Sequence, residues 1–169
     1  SDGNTKTMTF SWWFKRGQAT QGSYNIGEFF NHGQAGAGGS QSSARITLEA
    51  DKLNIAHEDN NATSWELISN NLFRDSSNWY HFVVAFDTTQ STNTNRVKAY
   101  VNGTELTYST ASYPSEDADL RFGQDEQYIG VSIASGSPWN LTYLDGYMCD
   151  INFVDGTALT PTMAQTDID

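Results

Sequence analysis

Glu58, Asp59, Asn60 and Asn61, then Asp87, Asn93 and Asn95, then Glu116, Asp117 and Asp119 are the side chains whose types point most directly to chemistry. All present hard carboxylate or amide oxygen, the ligand type of Ca²⁺, which takes about six to eight such donors. Asp59, Asp87, Asn95, Asp117 and Asp119 form the candidate metal set, on the condition that the fold gathers separate loops. Solvated acidic loops are the plain alternative. A second constellation, Ser137-Pro138-Trp139-Asn140-Leu141-Thr142-Tyr143, sets aromatic rings beside an amide. Sugars need that pairing, because their C–H faces stack on rings while their hydroxyls take directed hydrogen bonds. Trp139, Asn140 and Tyr143 are therefore candidate carbohydrate contacts, with Trp65 and Asn61 near the Asp59-Asn60-Asn61 loop as a second group and Trp13 as a third. For each ring the alternative is lateral packing on a half-buried face.

Nucleophilic and zinc chemistry find little support. His32 lies in a glycine-rich stretch, His81 in a hydrophobic run and His57 beside Glu58 and Asp59, and none is near a G-x-S-x-G turn. No two histidines have zinc-ligand spacing, and Cys149 alone excludes an intrachain disulfide. Cys149 shares the parity of Tyr147, Ile151 and Phe153, which predicts a small buried hydrophobe.

The elements that must position these residues read as strands. Trp79 to Phe86 is apolar on both parities, the pattern of a strand deep in a sandwich. Val97, Ala99 and Val101 alternate with Arg96, Lys98 and Tyr100, and Asn102-Gly103 then suits the positive-φ pair of a type I′ hairpin turn. Met8, Phe10, Trp12 and Phe14 share one face of a half-buried first strand, with Trp13 an aromatic exception on the polar face. Ala44 to Ala50 and Leu53-Ile55 form a hairpin turning at Asp51-Lys52, and Tyr147 to Phe153 is a last strand placed beside the first. Tyr24 to Phe30, Trp65 to Ile68 and Gln127 to Ile133 read as further strands. Long loops are expected at 31–42, 87–95 and 108–126, and long loops are usually functional or mobile. If sequence neighbours all pair antiparallel, those loops and 58–64 emerge at one end, which is the condition the metal set requires.

Short strands joined by Gly, Asn, Ser and Thr turns, with no long helix, imply an all-β fold, an antiparallel two-sheet β-sandwich or jelly roll. The 169 residues suit one domain, 1–169, able to bury roughly two-thirds of its unfolded surface. A net charge of -11, from 20 acidic and 9 basic residues, repels phosphate backbones, so nucleic acid and anionic membranes are poor partners. No apolar run approaches the roughly 20 residues of a bilayer span, so no membrane insertion is expected. A start at Ser1 rather than Met is consistent with an excised domain or a processed product.

Trp79-Tyr80-His81 with Phe86-Asp87, Lys98-x-Tyr100-Val101-Asn102-Gly103, and Leu144-Asp145-Gly146-Tyr147 with Asp150-Ile151-x-Phe153 resemble the concanavalin A-like, laminin G-like domain superfamily. More narrowly, 6–17, Phe73-Arg74-Asp75, Asp87-Thr88-Thr89-Gln90, Asn95-Arg96-Val97-Lys98 and Asp155-Gly156-x-Ala158-Leu159-Thr160-Pro161 look like such domains in structural proteins of marine bacteriophages. The resemblance implies a concanavalin A-like sandwich acting as a non-catalytic, glycan-binding adhesion module, located on a virion or otherwise extracellular. Its partners would be a glycan or another virion protein, and a homotrimer is implied by analogy with phage appendages. It requires no cofactor, with Ca²⁺ at the loop rim the one ion it suggests. The alternative is a purely structural virion module, in capsid decoration or tail assembly. Glycoside hydrolysis is the remote alternative: some relatives carry a Glu-x-Asp-x-x-Glu strand, but here Glu49-Ala50-Asp51-Lys52-Leu53-Asn54 lacks the final glutamate and Asp51 falls at a turn.

Overall fold

The computed structural model describes residues 3–17, 28–35, 41–59, 62–123, 127–134 and 140–161. Its strands are β1 (Thr7–Arg16), β2 (Glu28–Ala35), β3 (Gln41–Glu49), β4 (Lys52–Asp59), β5 (Ala62–Ser69), β6 (Tyr80–Asp87), β7 (Val97–Val101), β8 (Thr104–Glu105), β9 (Tyr108–Ser112), β10 (Tyr128–Ile129), β11 (Val131–Ala134), β12 (Asn140–Tyr143) and β13 (Gly146–Asp155). They pair antiparallel in a five-stranded sheet, β13-β1-β6-β7-β8, a six-stranded sheet, β10-β2-β3-β4-β5-β9, and a β11-β12 ribbon. Asn93–Asn95 and Arg121–Gly123 form single 3₁₀ turns. Among the described residues no helix is long and apolar enough to cross a membrane.

The core lies between the two larger sheets. From β1, Met8, Phe10, Trp12 and Phe14 are buried against Phe29 and Phe30 of β2, with Phe82 and Phe86 of β6 alongside. The rings of Phe10 and Phe30 approach to 4.7 Å and those of Trp12 and Phe29 to 5.0 Å, within the range where tilted aromatic pairs gain beyond simple burial. Consecutive phenylalanines both point inward because the β2–β3 register slips between Glu28 and Phe30, a bulge that turns Phe29 to the same side as its neighbour.

Both parities of β6 are buried from Phe82 to Phe86, as its doubly apolar sequence predicts. Asn102 and Gly103 adopt φ of 48° and 80° and join β7 to β8 in a two-residue turn, the geometry that matches strand twist. Asn102 also locks onto β6: its backbone N–H donates to the His81 carbonyl at 2.8 Å, and its Oδ1 accepts from the His81 N–H at 2.9 Å.

Several expectations are corrected. The stretch 31–42 is largely strand, because β2 continues to Ala35 and pairs there with Gln41. Part of 108–126 is the edge strand β9, which pairs with β5. The β3–β4 turn is Ala50-Asp51 rather than Asp51-Lys52, since Glu49 pairs directly with Lys52. The polar parity of β1 is not solvated throughout: Thr9 is buried, donating from Oγ1 to the Thr157 carbonyl at 2.7 Å and accepting from the Leu159 N–H at 2.8 Å. Cys149 is exposed, not buried. Asp150, at φ 48°, and Ile151 together oppose Trp12, so the parity of β13 reverses at this bulge. Phe153 keeps its inward face, 4.9 Å from Phe10, whereas Tyr147 and Cys149 turn outward opposite Lys15 and Trp13. The strand expected at 24–30 lies outside the described residues before Glu28.

The two sheets are pinned together at the β3–β4 turn. Arg16 at the end of β1 is buried, and its Nη1 donates to Asp51 Oδ1 at 2.6 Å and to the Phe73 carbonyl at 2.9 Å. Arg74 Nε donates to the other Asp51 oxygen at 2.8 Å, and the Phe73 N–H to the Asp51 carbonyl at 2.7 Å. Burial alone would raise the Asp51 carboxyl, but hydrogen bonds from Arg74 and Arg16 outweigh it and hold the group below its ordinary 3.8.

Two predictions arise from this turn. Ala50 sits at φ 48°, where a Cβ is costly, so Ala50→Gly should stabilise the protein by about 1 kcal/mol, read as a raised urea midpoint. Asp51→Asn removes the carboxylate that faces the buried Arg16 and should cost about 3 kcal/mol at pH 7. Because the Asp51 carboxyl titrates lower folded than unfolded, its contribution is complete above 3.8 and lost as pH falls through its folded value. Urea unfolding at pH 7 and pH 3 should therefore show a smaller acid loss in Asp51→Asn than in the parent.

Candidate functional site

Strand parity places a distinct set of side chains on the outer face of the five-stranded sheet. With Phe10, Trp12 and Phe14 inward, Ser11, Trp13 and Lys15 face out. Their register partners share that face: Val83 and Asn152 beside Ser11, His81 and Cys149 beside Trp13, Tyr147 beside Lys15. Trp79 precedes the Phe14–Tyr80 pair and continues the outward parity of His81. The result is an aromatic group around Lys15, with Trp13 37%, Trp79 39% and Tyr147 64% exposed.

Polar groups frame these rings. Trp13 stacks on His81, centroids 4.9 Å apart and planes 29° apart. Ser11 Oγ lies 3.0 Å from His81 Nε2, and the Asn102 amide fixes the His81 backbone. Burial pulls the His81 imidazole below the ordinary 6.5, with the Asp150 carboxylate opposing, which keeps the ring neutral at pH 7. A neutral imidazole stacked on the indole from β6, with Cys149 opposite on β13, leaves Trp13 37% exposed as part of a platform. Tyr147 can sit opposite Lys15 only because the chain approaches closely at Gly146: a Cβ there would lie 2.6 Å from the Lys15 carbonyl oxygen.

Of the four stretches expected to converge at one end, 58–64, 87–95 and 108–126 are tied together, chiefly by arginines, whereas the turn between β2 and β3 lies outside the described residues. Arg96 donates to the carbonyls of Gln90 at 2.7 Å, Ser91 at 3.0 Å and Pro114 at 3.0 Å, and to Glu116 at 3.3 Å. Arg121 Nη2 reaches Asp59 Oδ1 at 3.4 Å, and Thr88 Oγ1 donates to the Ala118 carbonyl at 2.7 Å. Each carboxylate of the expected metal set has its own partners. Asp59 accepts from Ser64 at 2.9 Å and faces His57 at 3.4 Å. Asp87 accepts from Thr89 Oγ1 and Gln90 Nε2, both at 2.6 Å; burial would raise this group, yet these bonds hold it below 3.8. Asp117 pairs with Lys6 at 3.1 Å and Asp119 accepts from Thr5 at 2.6 Å, while Asn95 is exposed in its 3₁₀ turn. Among the described residues no group of three or more His, Cys, Asp or Glu side chains is placed to hold a metal ion.

The expected sugar contacts separate. Trp65 is a core residue, 4% exposed, packed beside His57 and edge-on to Phe86, because its strand turns that parity toward the opposite sheet. Trp139 and Asn61 lie outside the described residues; Asn140 opens β12 opposite Ala134, and Tyr143 ends it, well exposed. Trp13 is exposed as a platform member. Trp79 and Tyr147 were not legible as surface rings. The doubly apolar run masked the first, and the second needed the Asp150 bulge, for which an Asp inside a strand was the available signal. On the outer face of the six-stranded sheet, Asn54 Nδ2 donates to Glu49 at 3.2 Å and Glu66 at 3.0 Å, and Arg45 pairs with Glu58 at 2.5 Å.

Residues 1–164 match the family model of the concanavalin A-like lectin/glucanases superfamily. Among solved structures, the chain is similar to domain 4 of a GH43 extracellular arabinanase from Geobacillus stearothermophilus, a structure in complex with arabinotriose. The TM-score is 0.56 at 17% identity, covering 96% of this chain and 66% of that one, so the chain spans just under two-thirds of that neighbour's length. No curated protein matches the chain.

The opposite fates of two tryptophans are testable. Trp65→Ala should cost about 3–5 kcal/mol through loss of a buried ring, whereas Trp13→Ala on the open face should cost about 1 kcal/mol or less. Chemical denaturation of both variants reads the difference.

Proposed function

The chain belongs to the concanavalin A-like lectin/glucanases superfamily, and from that premise we propose that it is a non-catalytic glycan-binding adhesion module. The observation that carries this is the outward group of Trp13, Trp79 and Tyr147, with the His81 ring stacked on Trp13. Aromatic rings exposed side by side on one sheet face offer a surface for the C–H faces of successive sugars. Little entropy is lost on binding such a surface, because the strands already fix the rings. The fold neighbour, determined with arabinotriose, supports a sugar-binding use of this scaffold.

The non-catalytic reading is supported by Asp51. The nearest approach to a glucanase-type carboxylate strand runs through this residue, and two guanidinium groups occupy its oxygens. The setting we propose is a phage particle, supported by the sequence resemblance in 6–17 and 155–161. The rival reading, a structural module contacting other virion proteins, is favoured by a different surface. Phe153 and Ile129 lie on inward parities at neighbouring sheet edges, yet remain 49% and 54% exposed.

On a glycan array, the parent should bind a defined subset of sugars, and Trp13→Ala should weaken that binding at least tenfold, about 1.4 kcal/mol, without unfolding. Binding unchanged by both Trp13→Ala and Tyr147→Ala would remove this face, and a blank array would favour the structural module.

A further inference from the structure

Lys15 is set apart from every other cation in the chain. Lys6, Arg16, Arg45, Arg74, Arg96, Lys98 and Arg121 each pair with a carboxylate, and Lys52 donates to Ser109. Lys15 is half-buried, and among the described residues its ammonium has neither an ion pair nor a hydrogen bond. In a chain of net charge -11, only Lys15 and Lys52 among the described lysines and arginines lack a carboxylate partner, and Lys52 has a hydroxyl acceptor. Its surroundings are aromatic: Tyr147 is its register partner, Trp13 lies two residues back on the same face, and Trp79 continues that face on the other flank. Two carboxylates border this face: Asp150, which opposes Trp12 and acts on His81, and Asp145, whose Oδ1 fills the space a Gly17 Cβ would take; neither forms an ion pair with Lys15.

We propose that the aromatic face selects anionic sugars, with Lys15 receiving a carboxylate or sulfate while the flanking rings stack against the sugar. This deepens the glycan-binding reading and rests on it. A protein carrying excess negative charge repels acidic polysaccharide at long range, so a single half-buried lysine without an ion pair, beside exposed rings, gives local selectivity without non-specific binding. Charge-assisted hydrogen bonds to such a group are roughly twice as strong as neutral ones.

The test uses titration calorimetry on the whole chain with three probes: oligogalacturonate for carboxylate, a carrageenan oligosaccharide for sulfate, and neutral arabinotriose. Binding of at least one anionic probe, ten or more times tighter than arabinotriose, is expected. Lys15→Gln should reduce that affinity at least tenfold, Lys15→Arg should preserve most of it, and thermal midpoints of both should match the parent. Which anionic probe binds separates carboxylate from sulfate recognition. Equal binding of arabinotriose, or anionic binding indifferent to Lys15→Gln, overturns the inference while leaving glycan binding intact if Trp13→Ala still abolishes it. Failure of all three probes together with a blank glycan array overturns both readings.

Discussion

Alternation along β1 is the constraint from which the rest of the molecule follows. Met8, Phe10, Trp12 and Phe14 face the second sheet and are buried, and a two-residue repeat leaves no option but to send Trp13 and Lys15 outward. β1 lies between β13 and β6, so its parity is imposed on both neighbours by register. His81 is thereby held behind Trp13, and Tyr147 beside Lys15. Slipping β1 by one residue would exchange core for surface across the whole sheet, which is why the register is so strongly specified. The core and the candidate binding face are two sides of the same choice.

Arginine performs a second organising task. Arg16 crosses from one sheet to the hairpin turn of the other, and Arg96 and Arg121 gather the loops at the opposite end. Guanidinium suits this use because its fixed fork of donors can satisfy several carbonyls and a carboxylate at once. The acidic residues that resembled a cation site have, in the structure, partners of their own: Arg121 for Asp59, Lys6 for Asp117, Thr5 for Asp119 and the following turn for Asp87. Their oxygens are already engaged by these donors, and the contacts between the loops serve cohesion.

Sequence and structure agree where the pattern was local. The Asn102-Gly103 turn, the buried β6 and the inward face of β1 depend on neighbours in the chain, and each is found as read. They part where one residue changes phase. Tyr147 and Cys149 were assigned inward by extending the alternation of Ile151 and Phe153, and the Asp150 bulge inverts that assignment. Trp65 illustrates the converse: proximity to an acidic loop suggested a surface ring, yet the partner sheet claims it for the core.

What the sequence determined by itself was the class of fold, the positions of β1, β6 and β7 with the Asn102-Gly103 turn, and the acidity that disfavours polyanionic nucleic acid. These follow from periodicity, turn chemistry and net charge, which act over a few residues or over the whole chain. Only the tertiary structure decided which aromatics meet solvent, which carboxylates are occupied, and that Lys15 has no ion pair among the described residues. Those outcomes depend on cross-strand register and on bulges of a single residue. Such contacts join positions more than 130 apart in the chain, as Lys15 and Tyr147 are, and no local pattern encodes them.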